Sequence, residues 1–167
     1  MSSLAEEIKI WNTPIVGSYI LWRFTHGYTE FQPDGKSPVL LLHFIAAAIL
    51  TNQRLSDPVN NRRKDLASYV RSFTKKKDID LLLSIQDRVN NTKRYTLESV
   101  DIAIQKGLLV LNPDDACVYP SQLAHKPSRG MAPKQSIISM GKKGEILGRW
   151  FSSYPVNQVV SLLKVVL

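Results

Sequence analysis

The stretch from Tyr95 to Pro120, YTLESVDIAIQKGLLVLNPDDACVYP, constrains the fold more than any other part of the chain. Thr96 offers a hydroxyl to one of the orphan N–H groups that open a helix, and Glu98 places negative charge on the first turn. Leu97, Val100 and Ile104 share one helical face with Ala103 beside them, which predicts a short helix buried along that face. Gly107 supplies the left-handed residue that ends a helix, and Leu108 can fold back on Ala103. Two apolar runs, Leu108 to Leu111 and Ala116 to Tyr119, then flank Asn112, Pro113, Asp114 and Asp115. Turn formers between short apolar runs predict a β-hairpin.

The segments before this stretch extend the pattern. Arg62 to Thr74 carries Leu66, Tyr69, Val70 and Phe73 at helical spacing, and Asp78 to about Asn90 carries Ile79, Leu82, Leu83, Ile85 and Val89. Three helices followed by a hairpin is the order of a winged helix. Nearer the N-terminus, Thr13 and Pro14 form a cap-plus-proline start, because proline lacks an N–H that would be unpaired there anyway. The helix from Pro14 to about Thr25, ended by Gly27, is apolar nearly all round and must be buried on more than one side, by its own domain or by a partner. Ser37-Pro38 repeats the start signal before a helix from Val39 to Leu50. Beyond Ser121, Ile137 to Met140 reads as a short strand, and Gly141-Lys142-Lys143-Gly144 as a turn opening a helix from Glu145 to Ser153. A last helix, Val156 to about Val165, ends in an apolar tail expected to pack inward or against another subunit. The expected fold class is mainly α with a small β-hairpin: a winged-helix-like core with extra N- and C-terminal helices. One domain is expected, with an N-terminal helical part (1–58), a winged-helix-like part (59–120) and C-terminal helices (121–167).

Charge narrows the function. The formal net charge is +8, with basicity confined to 62–94 and 126–149, on either side of the acidic helix and hairpin. A DNA-reading winged helix carries Arg, Lys, Asn or Gln on the helix before the hairpin. Here that face offers Glu98, Ser99, Asp101, Gln105 and Lys106, and the tip offers Asp114 and Asp115, which phosphates would repel. The helix and hairpin are therefore expected to meet protein. Nucleic acid would fall to Arg62, Arg63, Lys64, Lys75, Lys76 and Lys77, or to Lys142 and Lys143.

Chemistry is sparse. No Gly-x-x-x-x-Gly-Lys-Ser/Thr or Gly-x-Gly-x-x-Gly loop occurs, so no backbone cradle for a nucleotide is visible. Gly141 to Gly144 ahead of a helix could hold a phosphate, though an exposed turn explains it as well. His26, His43 and His125 are isolated, and a lone histidine in an apolar helix such as His43 is expected to be structural. The single cysteine, Cys117, excludes an internal disulfide framework and multi-cysteine zinc sites, and reads as a buried inert thiol. No catalytic, metal or cofactor set is expected. The N-terminus lacks the apolar core of a secretory signal, and the longest apolar run, Val39 to Leu50, is too short to span a bilayer. A soluble cytoplasmic protein is expected.

Three segments together resemble a known family: IWNTPIVGSYILWRFTHGY, SIQDRVNNTKRYTLESVDIAIQKGLLVLN and KKGEILGRWFSSYPVNQVVSLLKVVL. They are similar to the small middle components of bacterial three-component ABC systems, among them the small subunit of Lamassu-type anti-phage defence operons. The resemblance implies a non-enzymatic adaptor that works with an SMC/Rad50-like ABC ATPase, which binds the ATP, and with an effector, often a nuclease, held silent until foreign DNA is sensed. It carries over Asn12, Pro14, Tyr19, Trp22, Gly107, Gly148 and Trp150 as fold or interface residues. Tyr19, Trp22, Glu98, Asp101, Asp114, Asp115 and Trp150 are the candidate partner interface. The alternative is a winged-helix DNA-binding regulator using the basic segments. A small enzyme built on His43 or Cys117 lacks any activating group at a suitable spacing.

Overall fold

The computed structural model describes residues 13–63, 65–121 and 134–166. Its longest helices, α1 (Pro14–Phe31) and α8 (Gln135–Ser152), lie against each other along most of their length and hold the fold together. Between them in sequence come α2 (Leu40–Leu50), α3 (Gln53–Ser56), α4 (Leu66–Lys75), α5 (Ile79–Leu83), α6 (Ile85–Asn91), α7 (Lys93–Gln105) and the strands β1 (Leu109–Leu111) and β2 (Val118–Pro120). A short α9 (Val156–Leu162) follows α8. Among the described residues the protein is mainly helical with one two-stranded antiparallel sheet, as the sequence predicts.

Helix α1 starts where expected, with Thr13 in the extended N-cap conformation and Pro14 at the first helical position. It does not stop at Gly27. A Cβ at Gly27 would collide with the Glu145 backbone, and one at Gly148 with the Phe24 carbonyl, so both glycines clear space for the α1–α8 contact. The expected strand at Ile137 to Met140 and the turn at Gly141 to Gly144 are likewise absent: all lie inside α8. A Cβ at Gly144 would sit 2.8 Å from the Ile20 oxygen, so the glycine that suggests a turn serves close packing between helices. Most of the apolar surface of α1 is met by α8, α7, α2 and β2, which all pack against it, while Ile15 and Phe31 at its two ends stay exposed.

Phe24 and Phe151 meet edge-on across the seam, 5.5 Å between centroids, and Tyr69 lies 5.7 Å from Trp150. The buried Tyr69 hydroxyl donates to Leu55 O at 2.7 Å, which removes the cost of burying it. Trp150 Nε1 is buried without an acceptor among the described residues. Leu66, Tyr69 and Phe73 of α4, Leu82 of α5, and Ile85 and Val89 of α6 join the core of α1, α2 and α8. The segment 59–120 thus carries four helices ahead of the hairpin where three are expected, and its core is shared with the N- and C-terminal helices.

Local departures have physical causes. Helix α4 begins at Leu66, not Arg62, because Asp65 and Ser68 form a reciprocal capping box. The single helix expected from Asp78 is broken at Ser84, whose hydroxyl donates to Leu81 O. Pro38 does not open α2: its carbonyl accepts from Val118 N, Leu40 N donates to Ala116 O, and Val39 bridges Cys117. The residues before α2 thus form a fragmentary third strand beside the hairpin. The apolar tail packs inward through Val159, Val160, Leu163 and Val165, while Val166 is exposed. No helix among the described residues is long and apolar enough to cross a membrane.

Candidate functional site

Helix α7 starts four residues before the expected position, with Thr92 and not Thr96 at its N-cap. Thr96 is buried inside it, its hydroxyl donating to Thr92 O at 2.9 Å. The buried face is Thr96, Ser99, Val100 and Ala103, a small-residue surface on which α1 lies so closely that a Cβ on Gly17 would strike Ser99 and the Tyr95 ring. Leu97 and Ile104, expected inside, are 51% and 36% exposed. The stop is as expected: Gly107 has φ +72°, Leu108 N donates to Ala103 O at 2.8 Å, and Gly107 N to Ile104 O at 3.0 Å. That pair of bonds is a Schellman motif. The hairpin also forms as expected, Leu109 opposite Pro120, Val110 opposite Tyr119 and Leu111 opposite Val118.

Helix α7 and the hairpin therefore present a mixed outer surface. Among the described residues, Leu97, Ile104, Val110 and Leu111 make up four of the nine large apolar side chains exposed to solvent. Glu98 Oε1 accepts from Arg94 Nε at 2.8 Å, and Asp101 Oδ2 from Gln105 Nε2 at 2.8 Å. At the tip, Asp115 accepts from Cys117 N and from the Tyr119 hydroxyl, both at 2.9 Å. The Cys117 N–H and then the Tyr119 hydroxyl hold the Asp115 carboxyl below the usual range, so Asp115 builds the turn. Asp114 is exposed.

The aromatic candidates divide. Trp22 is half-buried, between the Tyr19 and His26 rings and against the small hairpin core of Ala103, Leu109 and Val118. Tyr19 is half-buried against Gly141 and accepts from Arg23 Nη1 at 3.2 Å. Trp150, expected at the interface, is 1% exposed. It belongs to the core, since neither a partner nor solvent can reach it.

The basic candidates form two groups. Arg63, Lys75 and Lys76 surround a shallow cleft of 310 Å³, joined by Arg71 and two serines. Arg62 and Lys77 are exposed nearby in sequence, and Lys64 lies outside the described residues. Lys142 lines a second cleft, of 290 Å³, with Arg23, Glu145 and Arg149. Lys143 is committed elsewhere, donating to Ser56 O at 3.1 Å and pairing with Asp57 at 3.4 Å.

The expected structural role of His43 is what the geometry shows. It is fully buried, with Nε2 2.8 Å from Thr25 Oγ1 and Nδ1 3.2 Å from Val39 O, and burial lowers its pKa to about 4. It is neutral at physiological pH. Cys117 is half-buried, and burial, then Asp115, pushes its thiol pKa up, away from a reactive thiolate. Among the described residues no group of three or more His, Cys, Asp or Glu could hold a metal ion.

A cavity of 670 Å³ was not legible as a cavity in the sequence. It opens between the end of α2, the α6–α7 junction and the first two turns of α8, with Arg88 and Lys143 in its wall. Residues from elements far apart in sequence build it, and of these the sequence reading marked Lys143 alone, within Gly141 to Gly144.

No curated protein matches the chain, and no solved structure does. A family model, the ABC-three component (ABC-3C) system Middle Component 3, matches residues 1–167. The whole length of the chain is covered, including the three segments that carry the resemblance, and the protein belongs to the Middle Component 3 family of ABC-three component systems.

Proposed function

We propose that this component is a cytoplasmic, non-enzymatic adaptor of a defence complex, bridging the heads of an SMC/Rad50-like ABC ATPase and an effector, a nuclease, that stays silent until foreign DNA is engaged. ATP is bound by the ATPase and not by this chain. Membership of a three-component system supports partnership with other components. The observation that carries the adaptor role is the outer face of α7 and the hairpin, where Leu97, Ile104, Val110 and Leu111 stand in solvent among fixed charges. Fully burying an exposed apolar side chain contributes about 1.5 to 3 kcal/mol, and these four are 36% to 52% exposed, so each adds roughly half of that against the entropic cost of association. The same face disfavours the DNA-binding regulator, because Glu98 and Asp101 stand where a reading helix needs donors. DNA contact in the complex falls to the cleft of Arg63, Arg71, Lys75 and Lys76, which no carboxylate lines among the described residues.

The test is co-purification with the ATPase encoded beside this chain. Leu97→Glu combined with Ile104→Glu abolishes the association while the variant alone unfolds within about 0.5 kcal/mol of the parent, because both side chains are already exposed. Undiminished co-purification of that double variant would sink the assignment of this face.

A further inference from the structure

We infer that the cavity between the end of α2, the α6–α7 junction and the start of α8 binds a small phosphate monoester of mononucleotide size. The inference does not rest on the adaptor role and goes beyond it. At 670 Å³ the cavity falls within the volume range of small-molecule sites. Its wall joins one fork-shaped cation, one point cation and many hydroxyl and amide groups, with Leu50 and Met140 as apolar surface.

Arg88 is the anchor. Its Nε donates to Ala48 O at 3.0 Å and its Nη2 to Thr51 Oγ1 at 3.4 Å, which fixes the guanidinium plane at the end of α2. A guanidinium has five N–H donors, so several remain. No carboxylate pairs with it among the described residues, and the acid that shares the cavity, Asp57, pairs with Lys143. Burial alone acts on the Arg88 pKa, lowering it, as expected of a half-buried cation with no counter-charge nearby. A fixed fork with unused donors matches the oxygens of a phosphate, and Lys143 of α8 supplies a second cation only by exchanging its exposed partner Asp57, 3.4 Å away, for a phosphate oxygen. Ser136, Ser139 and Asn91 carry the short polar groups that recognise sugar hydroxyls. Asp57 is the one carboxylate in the wall, and no histidine or cysteine accompanies it. The cavity holds its ligand without an acid/base pair to transform it.

The experiment is calorimetric titration of the full-length chain with AMP, adenosine and inorganic phosphate. AMP saturates the protein at sub-millimolar concentration, and adenosine and phosphate each bind at least about tenfold more weakly. Lys143→Gln weakens AMP about tenfold and leaves adenosine unchanged. Ser139→Trp, at an exposed position on α8, fills the cavity and abolishes AMP binding with the fold intact by circular dichroism. Because Arg88 also holds the end of α2, the proposal is judged on these two variants. Lys75→Gln with Lys76→Gln, on the separate basic cleft, leaves AMP binding as it was. Failure of AMP to saturate, survival of its binding in Ser139→Trp, loss through the Lys75/Lys76 variant, or equal affinity for adenosine or phosphate alone each overturns the assignment.

Discussion

Along the α1–α8 seam the fold depends on side chains that are missing, whereas at the α7–hairpin corner it depends on a backbone angle. Gly27 and Gly148 keep ordinary packing open between two long helices, and the carbonyl of Phe24 occupies the space a methyl group would need. Gly107 has nothing within 4 Å of where a Cβ would be, but its φ is +72°. One residue type thus meets two demands: clearance, which grows with the size of a substituent, and handedness, which does not. The seam is buried and joins elements more than a hundred positions apart in sequence. The corner is exposed and local.

Replacing the seam glycine breaks the contrast most strongly. Gly148→Ala introduces a methyl group against backbone that has no rotamer to escape into, and overpacking of this kind costs about 3 kcal/mol or more. That loss outweighs the helix propensity gained, about 1 kcal/mol. Urea denaturation would then show a strongly lowered midpoint, or no folded protein. A variant as stable as the parent would mean that α1 and α8 are not in the contact described.

A second measurement probes the other flank of α1, where Thr25 meets His43 of α2. Above pH 6.5 His43 is neutral whether the chain is folded or not, so it adds no pH dependence. As pH falls below 6.5 the unfolded chain takes up a proton that the folded core refuses until about pH 4. Stability therefore declines through that window and levels below it, by about 3 kcal/mol from this residue. His43→Gln removes the decline, and the difference between the two stability profiles isolates His43 from carboxylates that titrate lower. Parallel profiles would show that the ring is not held neutral.

The two regions were also unequally legible in the sequence. The corner was readable because its determinants are neighbours: Gly107 and Leu108 close the helix, and Asn112, Pro113 and Asp115 turn the hairpin within a few residues. The seam was not. Gly141, Lys142, Lys143 and Gly144 have the composition of a turn, and only Ile20 and Phe24, far away in sequence, make them helical. Thr96, expected as a cap, and Ser99, expected on the exposed face, misled in the same way, since small polar residues suit those places until α1 is seen to lie against this side of α7. That turned the expected face about the axis of α7: Val100 and Ala103 are buried as expected, but Leu97 and Ile104 face solvent. Of the candidate site, the charged clusters were visible as clusters, but Arg71's place in the cleft and the whole Arg88 cavity exist only in three dimensions. Trp150 was misplaced because an aromatic residue on an amphipathic helix suits a core as well as an interface.

The smallest expected effect sharpens the comparison furthest. Gly107→Ala costs about 1 kcal/mol, since an L-residue with a Cβ is disfavoured at positive φ even where space is open. Gly107→Asn costs less, because asparagine visits the left-handed region more readily and is a known helix terminator. At Gly148 the order reverses: asparagine is larger than alanine and meets the same carbonyl, so Gly148→Asn is at least as damaging as Gly148→Ala. Four denaturation curves therefore separate the two demands. If Asn rescues relative to Ala at 107 and not at 148, conformation governs the corner and clearance the seam; if Asn and Ala cost the same at 107, the corner too is limited by space, and the outer face of α7 is more crowded than an open docking surface should be.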